Sequence, residues 1–270
     1  MSALLERLGA KAQRGSKPRC HFLTHGSPAS VAARLTALTV PLGEQAPRAL
    51  VTPSDNWMPQ GFDVLAEAEL PKAVRLVDRA IADKLLRWWL PQGSPQSRTP
   101  NLDIASSCTI RGKRGLMLVE AKAHLGELES EARRKPLAKD ASQGSTINHG
   151  TIGEAIEQAR AGLQASTKLD WQIGRDNHYQ MSNRFAWSWK LAQLGVPVVL
   201  VYLGFTGARD MTRGAEVPFT DAGAWDAAVR KHSAPLFPDE IWNKTLEVNG
   251  VPFIPMIHAM ELPLQEMTAA

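Results

Sequence analysis

The sequence predicts an α/β fold: a central mixed β-sheet flanked by helices, with elaborations at both ends. Three observations predict it. Residues 102–110 and 116–119 read as two strands joined by a polar turn, Arg111-Gly112-Lys113-Arg114-Gly115. Residues 196–202, VPVVLVY, are apolar on both sides, as in a strand covered by helices on each face. Before and between these runs lie stretches with helical periodicity.

At 270 residues the chain can bury a large core, and one elaborated domain is expected. Residues 1–61 read as an N-terminal arm and extension, 62–206 as the core, and 207–270 as a C-terminal extension packed on it. The net charge of +4 is compatible with a nucleic-acid partner without requiring one. Cys20 and Cys108 form neither a disulfide framework nor a zinc spacing. The first twenty residues are basic but lack the apolar run of a signal peptide. No stretch of about twenty apolar residues is present, so no membrane partner and a cytoplasmic location are expected. Gly112-Lys113 lacks the hydroxyl residue and upstream glycine of a phosphate loop.

Taken in order, residues 3–8 suit a short amphipathic helix, followed to residue 19 by a basic, loosely held arm. Ser27 or Ser30 can cap a helix over 31–38. Pro41, Pro47, Pro53 and Pro59 make 40–61 loop-rich, and Trp57 there suits core packing better than base stacking. Pro71 fits the first turn of a helix to Leu90, with Val74, Val77, Ile81, Leu85 and Trp88 on one stripe. Residues 91–101 form a Pro- and Ser-rich connection into the hairpin. Residues 143–150 read as a mobile loop, after which Thr151-Ile152-Gly153-Glu154 forms a capping box for a helix. Asp176 is the expected cap of a further helix to Leu194, stopped by Gly195. Thr220 caps a helix over 222–231, and Asn249-Gly250 marks a hairpin within 246–262.

The hairpin carries charge where a strand is normally apolar. Glu120 and Lys122 follow Leu116–Val119 directly and, two apart, share one strand face. Buried, they need a partner or a ligand. With Arg111–Arg114 as the loop, Asp103 faces Lys122 and Ala105 faces Glu120, so all three charges leave one face. A slip of one residue would turn Asp103 away.

Pro100-Asn101-Leu102-Asp103, the hairpin, and Glu120-Ala121-Lys122 together resemble the PD-(D/E)xK motif of the restriction-endonuclease-like nucleases. The resemblance covers residues 62–206. It implies a restriction-endonuclease-like core and a metal-dependent nuclease acting on DNA. Mg²⁺, with Mn²⁺ as an alternative, would be held by Asp103, Glu120 and the backbone carbonyl of Ala121. Lys122 would assist the attacking water. A further acid from before the hairpin is implied: Glu69 by distance along the chain, or Asp78 by its position on the helix stripe. Each also has a structural reading, Glu69 as a helix-dipole partner and Asp78 as one half of a surface pair. Gln180 matches the family's glutamine on the helix before the next buried strand. Some members place a tyrosine four residues later; here that position is Arg184, a departure that offers a guanidinium to a phosphate. Arg111, Lys113 and Arg114 form a second candidate surface for substrate, as do Arg133, Arg134, Lys135 and Lys139; a solvated basic face is the alternative. His124 and His149 are further candidates for substrate contact. Two other readings stand beside the nuclease: a noncatalytic nucleic-acid-binding or scaffold protein with a nuclease-like core, and a structural Glu120–Lys122 salt bridge. A homodimer or a larger defence or repair complex is compatible with each of the first two.

Overall fold

A computed structural model describes residues 3–41, 43–73, 75–91, 99–212 and 216–264. The N-terminal third contains α1 (Ala3–Glu6), α2 (Ser16–Leu23), α3 (Pro28–Ala37), β1 (Trp57–Met58), β2 (Ala68–Glu69) and α4 (Arg79–Trp89). The middle contains β3 (Asn101–Leu102), β4 (Ile104–Ile110), β5 (Lys113–Lys122), α5 (Leu125–Glu129), α6 (Gln143–Thr167) and α7 (Tyr179–Gln193). The chain continues through β6 (Val198–Thr206), α8 (Ala222–Ser233), β7 (Leu246–Val248) and β8 (Val251–Glu261). One mixed six-stranded sheet runs β1-β4-β5-β6-β8-β7, and β2 pairs with β3 in a small second sheet. β5, β6 and β8 are parallel neighbours; the other pairs are antiparallel. Among the described residues no helix is long and apolar enough to cross a membrane.

The sheet separates two cores, as strand alternation requires. One face, with Ala105, Leu118, Leu200 and Tyr202, packs against α4, α6, α7 and α8. The other, with Ile104, Val119, Ala121 and Val201, is covered by α2 and α3. So the stretch up to residue 19 does not hang as a loosely held basic arm: Leu5 and Leu8 are buried as well. Arg19 and His21 of α2 are almost fully buried, and their polar atoms find acceptors far along the chain. Ser27 caps α3 as expected, accepting from the Ser30 N–H. Trp57 is half-buried beside that core. The tryptophans of α4 and α7 pack against one another, with the Trp89 and Trp187 rings 5.6 Å apart.

Three helix starts differ from expectation, two of them because another side chain caps the helix. Asp78 Oδ1 accepts from the Ala80 N–H at 2.8 Å, so α4 begins at Arg79 and residues near Pro71 form turns. Val74 lies outside the described residues, as does most of the 91–101 connection. Ser142 accepts from the Ser145 N–H, so α6 starts at Gln143; the expected loop 143–150 is helical and the Thr151 box lies inside the helix. Asp176 binds Arg175 instead of capping, and α7 starts after His178, whose φ is 43°. Asp221, not Thr220, caps α8. The Asn249-Gly250 hairpin is as expected, with Val248 opposite Val251.

Candidate active site

The register of the β4–β5 hairpin fixes the site. Ile110 pairs with Lys113, leaving a two-residue loop of Arg111 (φ 49°) and Gly112 (φ 75°). Both residues lie in the left-handed region that such tight hairpin loops use. The expected four-residue loop is thereby shortened, and the register moves by two. Ile104 pairs with Val119, so Asp103, one residue beyond β4, stands opposite Glu120 and not opposite Lys122. A shift of two keeps the face. Glu120 and Lys122 point to the side covered by α7, while Asp103, in the bend between β3 and β4, turns its carboxylate into the ladder to meet the Ala121 N–H.

Asp103 ends the ladder. Its Oδ2 accepts the Ala121 N–H at 2.8 Å, in place of a strand carbonyl. The Ala121 carbonyl leaves the strand on the same side as its N–H, so it faces the same gap at the end of β4. Among the described residues no hydrogen bond is made to Asp103 Oδ1. Asp103 is half-buried. Burial, reinforced by the nearby Glu120 charge, pushes its carboxyl up to about 8 from its ordinary 3.8.

Glu120 is the centre of the cluster and is 1% exposed. Lys122 Nζ and Gln180 Nε2 both donate to its Oε1, the latter at 2.7 Å, and Arg184 Nε donates to Oε2 at 2.6 Å. Burial alone would raise this carboxyl; the Arg184 and Lys122 cations outweigh it and hold the group down at about 2. Gln180 and Arg184 reach Glu120 together because residues four apart share a helix face. Burial would also neutralise Lys122, but Glu120 and then Glu131 hold its ammonium charged well above its ordinary range.

Glu131 follows α5 on a short 3-10 turn and is also 1% exposed. Its Oε1 lies 2.8 Å from Lys122 Nζ, an ion-pair distance without the alignment of a hydrogen bond. Tyr202 donates a long 3.4 Å hydrogen bond to Oε2, and His232 Nε2 lies 3.8 Å from the same oxygen. Burial pushes Glu131 up to about 7 against the pull of Lys122. Burial likewise pushes His232 down to about 4, helped by His178 and Lys122. Glu131 is absent from the expected site because it falls in the charged run 127–139, which reads as solvated.

Other expected residues stand apart. Glu69 lies 2.7 Å from Lys72, and its neighbour across the β2–β3 pair is Asn101. The acid that this register carries toward Asp103 is Glu67, which pairs with Lys17 of α2 at 2.7 Å. Asp78 is an exposed cap. Arg184 is not an open phosphate arm: it is 6% exposed and also binds Asn183 and the Asn101 carbonyl. Arg111, Lys113 and Arg114 sit at the far end of β5, roughly 30 Å from Lys122 at about 3.3 Å per residue. There Arg111 binds Glu247 and Thr245, and Arg114 lies 3.7 Å from Asp55. His149 is engaged with Arg175 and the Lys135 carbonyl, and His124 begins α5.

The donor set fits a hard divalent cation in part. Among the described residues no three His, Cys, Asp or Glu side chains are arranged to hold a metal. Two carboxylates and a backbone carbonyl lie near the end of the β4–β5 ladder, and Mg²⁺ keeps several waters, so it needs few protein ligands. Asp103, whose carboxyl is pushed up by burial and by the Glu120 charge, is the one that gains most from a cation. Glu120 Oε1 can be released, because Lys122 has Glu131 as a second anion, while Arg184 retains Oε2. No family model matches this chain, and no match is found among curated proteins or solved structures.

Proposed function

We propose that the chain is a metal-dependent nuclease with a restriction-endonuclease-like core, hydrolysing phosphodiester bonds in DNA. The observation that supports this reading is the convergence of Asp103, Glu120 and the Ala121 carbonyl at the end of one ladder, with Lys122 hydrogen-bonded to Glu120. Asp103, Glu120 and the Ala121 carbonyl are the groups that would hold Mg²⁺ or Mn²⁺. Such an ion supplies charge neutralisation at the phosphate and a more acidic water. The chain's own residues do the positioning. Arg184 fixes Oε2 of Glu120, and Gln180 orients the carboxylate from the helix side. Lys122 presents an ammonium that can orient the attacking water and stabilise charge developing on phosphate oxygens. Glu120, Lys122 and Arg184 are buried, so each of these contacts is stronger than it would be in water.

One observation favours a second reading, a nucleic-acid-binding protein without cleavage: both oxygens of Glu120 already have protein donors. The two readings separate in one experiment. Purified protein is incubated with plasmid and linear DNA in Mg²⁺, Mn²⁺ or EDTA, beside Lys122→Ala. Cutting that needs metal and is lost in the variant is the expected result. Salt-sensitive retention of DNA with no cutting under any metal supports the second reading instead.

A further inference from the structure

Glu131 is an acid the nuclease motif does not call for, and it is among the most enclosed charged residues in the molecule. Burying a carboxylate is costly unless it is paired and hydrogen-bonded. Its pairing is incomplete. Oε2 faces the Tyr202 hydroxyl and His232, but Oε1 is a buried acceptor with no aligned hydrogen bond, 2.8 Å from Lys122 Nζ. The same ammonium donates to Glu120 and so bridges the two acids.

A divalent cation arriving between Asp103 and Glu120 competes with that ammonium for Glu120 Oε1. The two positive charges cannot share one oxygen without strong repulsion. Lys122 must move off Oε1 yet stay beside the reacting phosphate. A small rotation of its side chain brings it onto Oε1 of Glu131, already within contact distance. The receiving acid is held in place by its surroundings. Its turn is tied to the start of α7, where the Tyr179 N–H donates to the Arg133 carbonyl at 3.1 Å and the His178 N–H reaches the Ala132 carbonyl. Tyr202 and His232 occupy the Oε2 side, which leaves Oε1 turned to the lysine.

We propose that Glu131 is a positioning residue: the second anion that takes Lys122 when Glu120 turns to a divalent cation. The proposal rests on the nuclease reading above. In the metal-free protein Lys122 bonds Glu120; with the ion present it bonds Glu131, and the ammonium stays charged and in place.

The test is Mn²⁺ affinity, measured by titration calorimetry on the full chain, in wild type, Glu131→Gln, Lys122→Met and the double variant. Without Glu131 the lysine is left on Glu120 and opposes the ion, so Mn²⁺ affinity falls about tenfold, as for other outer-shell partners of metal ligands. In the Lys122→Met background the same substitution changes affinity by less than about twofold, because the competitor is gone. In plasmid cleavage, Glu131→Gln lowers kcat and leaves the KM for DNA unchanged. Should Glu131→Gln not fold, Tyr202→Phe loosens the Oε2 side and lowers Mn²⁺ affinity in the same direction. A folded Glu131→Gln protein with wild-type Mn²⁺ affinity and kcat overturns the positioning role, whatever its thermal stability. So does an affinity loss that persists undiminished in the Lys122→Met background. A wild-type chain that takes up no Mn²⁺ overturns the nuclease reading itself, and the positioning role falls with it.

Discussion

Two of the buried ionic groups among the described residues are built on different plans. In the first, Arg19 of α2 meets Asp210. The guanidinium is 1% exposed, grips both carboxylate oxygens, and also donates to the Gly15 and Leu262 carbonyls. One cation faces one anion, and the pairing outweighs burial to lower the Asp210 carboxyl below its ordinary range. In the second, around Glu120, three acids share two cations, and two of those acids are pushed up to about 8 and about 7. The balanced pair ties the N-terminal helices to the far end of the chain. In the unbalanced group two cations do not fully compensate three carboxylates, and the shortfall shows as the two raised carboxyls. A cluster that stays unbalanced in a dry interior is where an additional cation gains most, and this contrast, more than the motif alone, separates a site from a strut.

The largest expected effect breaks the strut. Arg19→Ala leaves Asp210 without its partner and should cost about 3–5 kcal/mol of stability. Denaturant unfolding measures it, and the folded fraction should cleave DNA at the wild-type rate. A cleavage defect in the folded fraction would show that the two groups are not independent. Lys122→Ala is the converse. It should lower the cleavage rate by about 10²- to 10³-fold, while retention of DNA in a salt-matched binding assay is preserved. Loss of DNA binding along with cleavage would place Lys122 in substrate contact and not in the chemistry.

How much of this was legible in the sequence follows the same division. Glu120, Lys122 and Asp103 could be read because they interrupt apolar strands, and a period of two fixes the shared face of Glu120 and Lys122 whatever the loop length. The exact register could not, because Arg111-Gly112 makes a tighter loop than the run of five polar turn residues suggests. Gln180 and Arg184 were legible from helical spacing, but the role of Arg184 was not: its acceptor lies 64 residues away. Glu131 and Arg19 were hidden for one reason. A charged residue in a charged run looks solvated, and its burial is set by partners distant in sequence. Glu131 owes its position to β5, β6 and α8, and Arg19 to Asp210.

Asp103→Asn sharpens the contrast through pH. A carboxyl raised from its ordinary 3.8 to about 8 binds its proton more tightly in the folded state than in the unfolded one. Without metal, stability is therefore greatest near and below pH 4 as far as this group is concerned, and falls as pH rises toward 8. Asp210 has the opposite sign: its contribution is present above its unfolded value and lost as pH falls through its lowered folded value. In EDTA, Asp103→Asn should thus raise stability at pH 8 by about 1–3 kcal/mol, and thermal melts across pH should show the alkaline decline flattened. Mg²⁺ should stabilise the wild type and not the variant, with a concentration dependence that reports the binding constant. A variant whose melts track the wild type at every pH would remove Asp103 from the unbalanced group.

The smallest effect is expected at the hairpin tip, and its smallness is informative. Arg111 pairs with Glu247 at 2.8 Å, with both side chains about half exposed. Such surface pairs contribute about 0–1 kcal/mol, so Arg111→Ala should barely shift the unfolding midpoint. The tip is separated from Lys122 by the length of β5, so the same variant should leave kcat for cleavage unchanged. A weaker hold on DNA, with a shallower dependence of binding on salt, would mean that the duplex runs along the strand from the acids to the tip. Unchanged binding would confine the nucleic-acid contact to the α7 face and leave Arg111 as a link between the hairpin and the segment leading into β7.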